Sequence, residues 1–329
     1  MRFRRYAWCV LGVNLLVVLW GAYVRASGSG AGCGRHWPLC RGEFIPTRPA
    51  AATLVEYAHR ATSGLALLLV IVLVIWSRRE FAEDHPARRW ASWSLGLVIV
   101  EALIGAGLVL LSLVGANSSL ARAGYLAAHL LNTFLLLGFL ALTAYWAGAE
   151  RPTLLPKVGA ARATLTTGLL CLLLVGMSGA VTALGDTLFP ASSLAEGLRA
   201  DSSATAHLLI RLRVLHPAFA LLTGLYLCVM VWAAGKQRPG AAETIWARTV
   251  IGLVLVQLSL GLLNLLLLAP VAIQLAHLLL ADLLWIATLL FGVTALGLAP
   301  RESYMLPIMA SANSEVRSSV APSMRRWKS

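Results

Sequence analysis

The sequence contains few charged residues. Only 12% of its 329 residues are Asp, Glu, Lys or Arg, whereas 59% are hydrophobic; a soluble domain carries about 25% charged residues. A water-soluble fold of this size cannot cover so much apolar side chain with so little charge. The composition therefore excludes an ordinary soluble enzyme and a disordered protein, and it predicts a multi-pass membrane protein.

Cysteine and acidic residues are also scarce. Five cysteines are too few for a disulfide-rich scaffold. The chain has 14 acidic against 27 basic residues, a net charge of +13. In a soluble protein such an excess indicates nucleic-acid binding, but in a membrane protein it reflects basic loops that set orientation. Membrane lipid is therefore an expected partner and nucleic acid is not.

Eight long apolar runs dominate the sequence. A membrane-spanning helix needs about 20 such residues, and continuous runs form helices because backbone groups in lipid must be bonded within the segment. The predicted fold class is an all-α integral membrane protein with eight transmembrane helices, the first of them retained rather than cleaved as a signal peptide. The runs cover residues 8–24, 56–76, 93–114, 124–146, 164–184, 208–232, 250–268 and 271–296.

The basic residues predict the orientation. If the N-terminus lies inside, most of the 27 basic residues fall on the inner side, as the positive-inside rule requires. Six tryptophans then lie at inner helix ends, where aromatic belts form. Both termini are expected in the cytoplasm of a bacterial cell with the chain in its plasma membrane, and the Ser-rich, basic tail 299–329 is expected to be disordered.

Short segments recur at similar offsets along the chain. Self-similarity of this kind indicates an internal repeat, and an even number of helices in each half makes the repeat parallel. We expect two tandem pseudo-symmetric four-helix bundles, residues 1–155 and 156–298. The recurring pairs are 96–100 with 252–256, Gly21 with Gly179, His59 with His216, and His129 with His277.

Four histidines fall on the second, fourth, sixth and eighth predicted helices, near the expected outer ends: His59, His129, His216 and His277. A single membrane histidine is usually an interhelical hydrogen-bonding group, but four at equivalent positions favour metal ligands. Imidazole suits heme iron, zinc or copper. Zinc prefers three or four protein ligands, whereas two imidazoles facing across a four-helix bundle suit a six-coordinate heme.

The two predicted halves differ beside these histidines. Glu56 precedes His59 by three residues and shares its helix face. This carboxylate is expected to handle protons. Arg213 precedes His216 by the same spacing and is expected either to bind heme propionates or to anchor the helix at the interface. Two further intramembrane acids, Glu101 and Asp282, are expected to form interhelical hydrogen bonds or to relay protons.

Cys33 and Cys40 lie in the first outer loop, separated by six residues. Outside a bacterial cell membrane a disulfide can persist. It would be either a structural staple or a group for thiol exchange. Copper binding by Cys33, His36 and Cys40 is less favoured, because no Met-rich or second His/Cys cluster accompanies them.

Over about residues 5–298, the chain resembles the heme A synthase family. The resemblance implies oxidation of the C8 methyl group of heme O to the formyl group of heme A, by successive hydroxylations through an alcohol and a hydrated aldehyde. It implies that His216 and His277 hold a b-type heme, that His59 and His129 face the substrate heme, and that Glu56 is the required acid. The stretches that carry it are residues 21–25, 27–30, 33–40, 45–46 and 56–60.

The sequence departs from the family pattern at three places. His36 replaces the usual acidic residue, Pro217 follows His216 where the first half has Arg60, and the loop 185–206 has no cysteine pair. The third departure leaves thiol chemistry in the second half unsupported.

The expected partners are heme O, a heme O synthase and an electron acceptor of unknown identity; a homo-oligomer stays open. Two other functions compete. A diheme electron-transfer cytochrome, or quinol dehydrogenase membrane subunit, needs the same histidines but not Glu56. A transporter, indicated only by the duplication and the helix count, needs no heme.

Overall fold

A computed structural model describes residues 1–148, 159–237 and 241–296, with side chains at 235–243 left aside. In this part of the chain the regular structure is helical, and a single β-bridge pairs Cys40 with Glu43. The all-α prediction is confirmed. The expected disordered tail 299–329 and the proposed boundary at 155–156 lie outside the described residues.

Eight helical segments of the described chain are long and apolar enough to cross a membrane, so this is a multi-pass membrane protein. Two short helices, α6 and α7, lie before the sixth long helix. The helices are α1 Arg2–Ala26, α2 Ala51–Glu80, α3 Pro86–Leu110, α4 Leu120–Trp146, α5 Gly159–Leu188, α6 Leu194–Ser202, α7 Leu208–Leu212, α8 Leu215–Gln237, α9 Ala241–Leu266 and α10 Val271–Ala295.

Three details differ from the sequence prediction. The sixth segment is interrupted after Leu212, because Pro217 has no N–H to donate to the carbonyl of Arg213. The third segment ends at Leu110, just before Ser112 adopts a left-handed φ of 57°. Helix α6 was not predicted; the Ser193 side chain caps its first turn by accepting from the Glu196 N–H.

The core lies where α4 meets α10. These two helices are buried along most of their length, whereas the other membrane helices turn much of their surface outward. Helices α1 to α4 pack on one another, as do α5, α8, α9 and α10, and α4 also contacts α5 and α10. The division into halves 1–155 and 156–298, and their tandem symmetry, stay predictions.

Candidate functional site

The imidazoles of His216 and His277 face each other across α8 and α10. Their ring centroids are 6.3 Å apart, and the ring planes stand at 85°. Two metal–nitrogen bonds of about 2 Å and two ring radii of about 1.2 Å together span about 6.4 Å. The separation therefore suits one metal ion held between two imidazoles.

Three of the four histidines lie against a glycine of a neighbouring helix. A Cβ atom built on Gly21 would come within 2.8 Å of Cε1 of His59, and one on Gly179 within 3.0 Å of Cε1 of His216. The same construction on Gly261 gives 3.1 Å to Cε1 of His277. Any side chain at these glycines would displace the imidazole, so the glycines let the helices approach closely at the histidines.

The histidine nitrogens are incompletely paired by protein groups. In the described part of the chain, Nδ1 of His59 and Nδ1 of His277 are buried without a hydrogen-bond partner. Nδ1 of His216 lies 3.1 Å from the Ser178 hydroxyl, and Nε2 of His277 lies 3.2 Å from Nε2 of Gln257. Buried polar atoms normally find partners, so these unpaired nitrogens fit a ligand-binding role.

His129 on α4 is paired with Glu101 on α3. Nδ1 of His129 lies 3.1 Å from Oε1 of Glu101, although the ring N–H does not point straight at that oxygen. Asn132 donates to Oε2 of Glu101 at 2.5 Å, and the Thr133 hydroxyl donates to Oε1. Glu101 therefore forms the expected interhelical hydrogen bonds. Its carboxylate also lies beside His129, one of the four predicted ligand histidines.

Glu56 on α2 anchors the cysteine loop. Glu56 is 3% exposed, and its carboxylate accepts a hydrogen bond from the Cys33 backbone N–H at 2.8 Å. Arg60 donates to its other oxygen at 2.5 Å, and also to the carbonyls of His36 and Leu39 at 2.6 and 2.7 Å. The structure thus gives Glu56 a clear structural contact, and its role in proton handling stays a prediction.

Cys33 and Cys40 form a disulfide, as expected. The two residues are 0% and 1% exposed. Thiol exchange needs access to a sulfur, so this burial favours a staple. The disulfide also removes both thiols from the alternative copper site, and the described residues hold no cluster of three or more His, Cys, Asp or Glu side chains suited to a metal.

Arg213 is held by two carboxylates. Its guanidinium lies 3.0 Å from Asp186 on α5 and 2.7 Å from Asp201 on α6. These ion pairs support the anchoring interpretation, while propionate binding stays a prediction. Asp282 is fully buried, and neither of its oxygens has a hydrogen-bond partner in the described part of the chain, so the interhelical hydrogen bond expected there is not formed.

Arg25, at the end of α1, was not singled out by the sequence analysis as a functional residue. It donates at 2.6 Å to both the Ala183 carbonyl and the Thr187 hydroxyl of α5, and at 2.9 Å to Gln274 of α10. An arginine at the end of an apolar helix was the available signal, but partners more than 150 residues away cannot be chosen from the sequence alone.

Paired, half-buried imidazoles among eight apolar helices define a multi-pass membrane protein with residues that could hold a metal centre such as heme. The chain belongs to the cytochrome oxidase assembly protein family (COX15-CtaA), whose family model matches residues 4–289. The resemblance noted in the sequence is therefore confirmed at the level of the family.

Individual relatives match parts of this chain. A Thermus thermophilus protein named protoheme IX farnesyltransferase is 48% identical over 295 residues, which are 90% of this chain and 48% of that protein. The heme A synthase from Alkalihalophilus pseudofirmus is 45% identical over 95 residues, which are 29% of this chain and 32% of that protein. The heme A synthase from Shouchella clausii is 44% identical over 99 residues, which are 30% of this chain and 33% of that protein. The chain thus spans about half or less of the length of these curated relatives.

Proposed function

We propose that this protein is a heme A synthase, an oxidoreductase that converts the C8 methyl group of heme O to the formyl group of heme A by successive hydroxylations. The family match over residues 4–289 and the similarity to named heme A synthases support this activity. The observation that carries the heme-binding part of the proposal is the 6.3 Å separation of the His216 and His277 rings. It suits a heme held between the two imidazoles.

In this proposal His216 and His277 would hold a resident heme b, which would supply the capacity to accept electrons. Gly179 and Gly261 set the position of the two imidazoles by close contact. Ser178 orients the His216 ring through its 3.1 Å contact with Nδ1. These residues bind and orient the cofactor, and the surrounding apolar helices exclude water from it.

His59 and His129 are proposed to face the substrate heme O. The charges of His129 and Glu101 act on His59, so the imidazoles of His59 and His129 lie in the same region of the structure. Glu56 is proposed as the acid that handles protons in this half. Its carboxylate accepts from the Cys33 N–H of the cysteine loop, and it precedes His59 by three residues on α2, so one turn of this helix both contacts the loop and carries the histidine.

Heme O synthase is the proposed source of the substrate. About half of the Thermus thermophilus relative lies outside the region that matches this chain, and its name describes farnesyl transfer to protoheme IX. In that relative, a region outside the match is joined to a region similar to this chain. This arrangement supports direct transfer of heme O from an enzyme that makes it to an enzyme that consumes it. Heme O is also insoluble in water, which favours such a transfer within the membrane.

The chain is further proposed to lie in the bacterial plasma membrane with both termini in the cytoplasm. Paired reporter fusions at each terminus test this orientation. Cytoplasmic activity of both fusions is expected, and activity of either one on the outer side would contradict it.

Co-expression with a heme O synthase in a host that makes no heme A tests the activity. Extracted pigments from the wild-type chain should include heme A, and Glu56→Gln should block its formation. His36→Ala is the matched control, because His36 is an exposed loop histidine whose backbone carbonyl alone contacts Arg60. Unchanged heme O beside a normal b-heme spectrum would favour the electron-transfer cytochrome, and a colourless protein would favour the transporter.

A further inference from the structure

We infer that Glu101 is a positioning residue that acts through His129. It makes the His129 imidazole donate electron density to a bound iron more strongly than its counterpart His277 does. The inference rests on the proposed function, in which His129 faces the heme of the first half. Glu101 touches neither the substrate nor the reacting atoms in this account. It acts only on the imidazole that lies 3.1 Å from its Oε1.

The carboxylate of Glu101 is held in a fixed place. Asn132 donates to its Oε2 at 2.5 Å, and Asn132 also donates to the Leu97 carbonyl of α3 at 2.9 Å. The Thr133 hydroxyl donates to Oε1. Because Asn132 and Thr133 follow His129 by three and four residues, all three lie on one face of α4. The donors on that face therefore set the carboxylate against the histidine.

An ordinary interhelical tie needs only acceptor oxygens. Inside a membrane a carboxylate is more costly than an amide, but its two oxygens let Oε2 accept from Asn132 while Oε1 accepts from Thr133. The carboxylate also adds negative charge beside the imidazole. The side chains of Glu101 and His129 are 19% and 26% exposed, so most of the surface around that charge is formed by protein.

The second half carries an amide at the corresponding position of its helix. Gln257 on α9 lies 156 residues after Glu101, and its Nε2 lies 3.2 Å from Nε2 of His277, whereas Glu101 lies beside Nδ1 of His129. His277 also packs against Gly261, whereas a Cβ built on the matching Gly105 of α3 meets no atom within 4 Å. The two histidines thus have neighbours of different charge and different packing.

A carboxylate beside a ligating imidazole fixes the ring orientation and raises its basicity. A more basic ligand stabilises the oxidised iron. The heme held by His129 is therefore expected to have the lower reduction potential of the two, and the neutral partner Gln257 leaves the His277 heme without this effect.

A reductive titration of the purified full chain tests this inference. The chain is loaded with heme b and heme O in detergent, and the visible spectrum is followed against the applied potential. Glu101→Gln keeps the size of the side chain and removes its charge. It should raise the midpoint potential of one heme and leave that of the other unchanged. Glu101→Asp should retain the low potential, and Gln257→Glu should lower the potential of the other heme.

The outcomes separate this inference from the proposed function. Two bound hemes with unchanged potentials in Glu101→Gln, or equal shifts of both, would overturn the inference alone. If Glu101→Gln loses one heme, the result supports the inference when Glu101→Asp retains that heme. The result overturns the inference when Glu101→Asp loses the heme as well. A wild-type chain that takes up only one heme when heme b and heme O are both supplied, with that heme lost in His216→Ala, would overturn the proposed role of the first half and this inference with it.

Discussion

Trp285 on α10 stacks against Phe134 on α4, with ring centroids 5.7 Å apart and an interplanar angle of 11°. The indole N–H of Trp285 donates to the Phe134 carbonyl at 2.5 Å. That carbonyl lies on a helix of the first predicted half, and the indole lies on a helix of the second. A single side chain therefore packs and bonds across the junction between the two groups of helices, in the middle of the core.

Removing this contact should destabilise the protein. Trp285→Ala leaves a large cavity in the core, and such truncations cost about 3–5 kcal/mol. Trp285→Phe keeps most of the volume and loses only the hydrogen bond, so its effect should be smaller. Loss of monomeric protein on heating, measured by size-exclusion chromatography in detergent, gives the comparison. Trp93→Ala, at a residue 58% exposed, is the control; an equal effect there would contradict the prediction.

Gly21→Ala should disturb the first half through His59. The added Cβ would lie 2.8 Å from Cε1 of His59, and overpacking of this kind costs about 1–3 kcal/mol. We expect heme A formation to fall about tenfold. Gly12→Ala on the same helix is the matched control, because a Cβ there meets no atom within 4 Å. Equal heme A yields from the two variants would refute the close contact.

Arg60→Leu should release the cysteine loop. It removes the bonds to the carbonyls of His36 and Leu39, and it leaves the buried Glu56 without its cation. Breaking a buried ion pair from one side costs about 3 kcal/mol. Hydrogen exchange followed by mass spectrometry should show faster exchange over residues 33–40. Adding Glu56→Gln to Arg60→Leu should slow the exchange over residues 33–40 part of the way back to the wild-type rate. If the double variant exchanges as fast as Arg60→Leu alone, the proposed coupling of Arg60 and Glu56 is contradicted.

Arg25→Ala should loosen α1 from the second group of helices. The arginine bonds Ala183 and Thr187 of α5 and Gln274 of α10, and hydrogen bonds to a charged group contribute about 1.5–3 kcal/mol each. Because three such bonds are lost, a fall of about 4.5 kcal/mol or more in the free energy of unfolding is expected, measured by unfolding in a denaturing detergent. Arg35→Ala, which removes one exposed bond to the Leu110 carbonyl, should have little effect.

The disulfide should resist reduction while the protein is folded. Both cysteines are buried, and exchange needs an attacking thiolate to reach a sulfur. Maleimide tagging after mild reductant should leave Cys33 and Cys40 unmodified in the native protein and modify them after unfolding. Rapid native tagging would instead support the thiol-exchange role.

The eight helices were predictable because apolar runs of this length have no other stable form in lipid. The histidines were predictable for a related reason: an ionisable group inside a long apolar segment is conspicuous in any sequence. The break before His216 was not predicted, although Pro217 carried the signal. There, the apolar composition favours a continuous helix, whereas the missing backbone donor of Pro217 interrupts it.

Sequence by itself determined that the chain crosses the membrane many times and that four imidazoles lie within its helices. Both are local properties, set by the polarity and spacing of residues along one segment. Tertiary structure alone decided that Glu101 lies beside His129, that Glu56 faces the Cys33 N–H, and that Arg25 reaches α5 and α10. Such pairings depend on how neighbouring helices rotate and slide against each other, and that is settled by packing across the whole bundle.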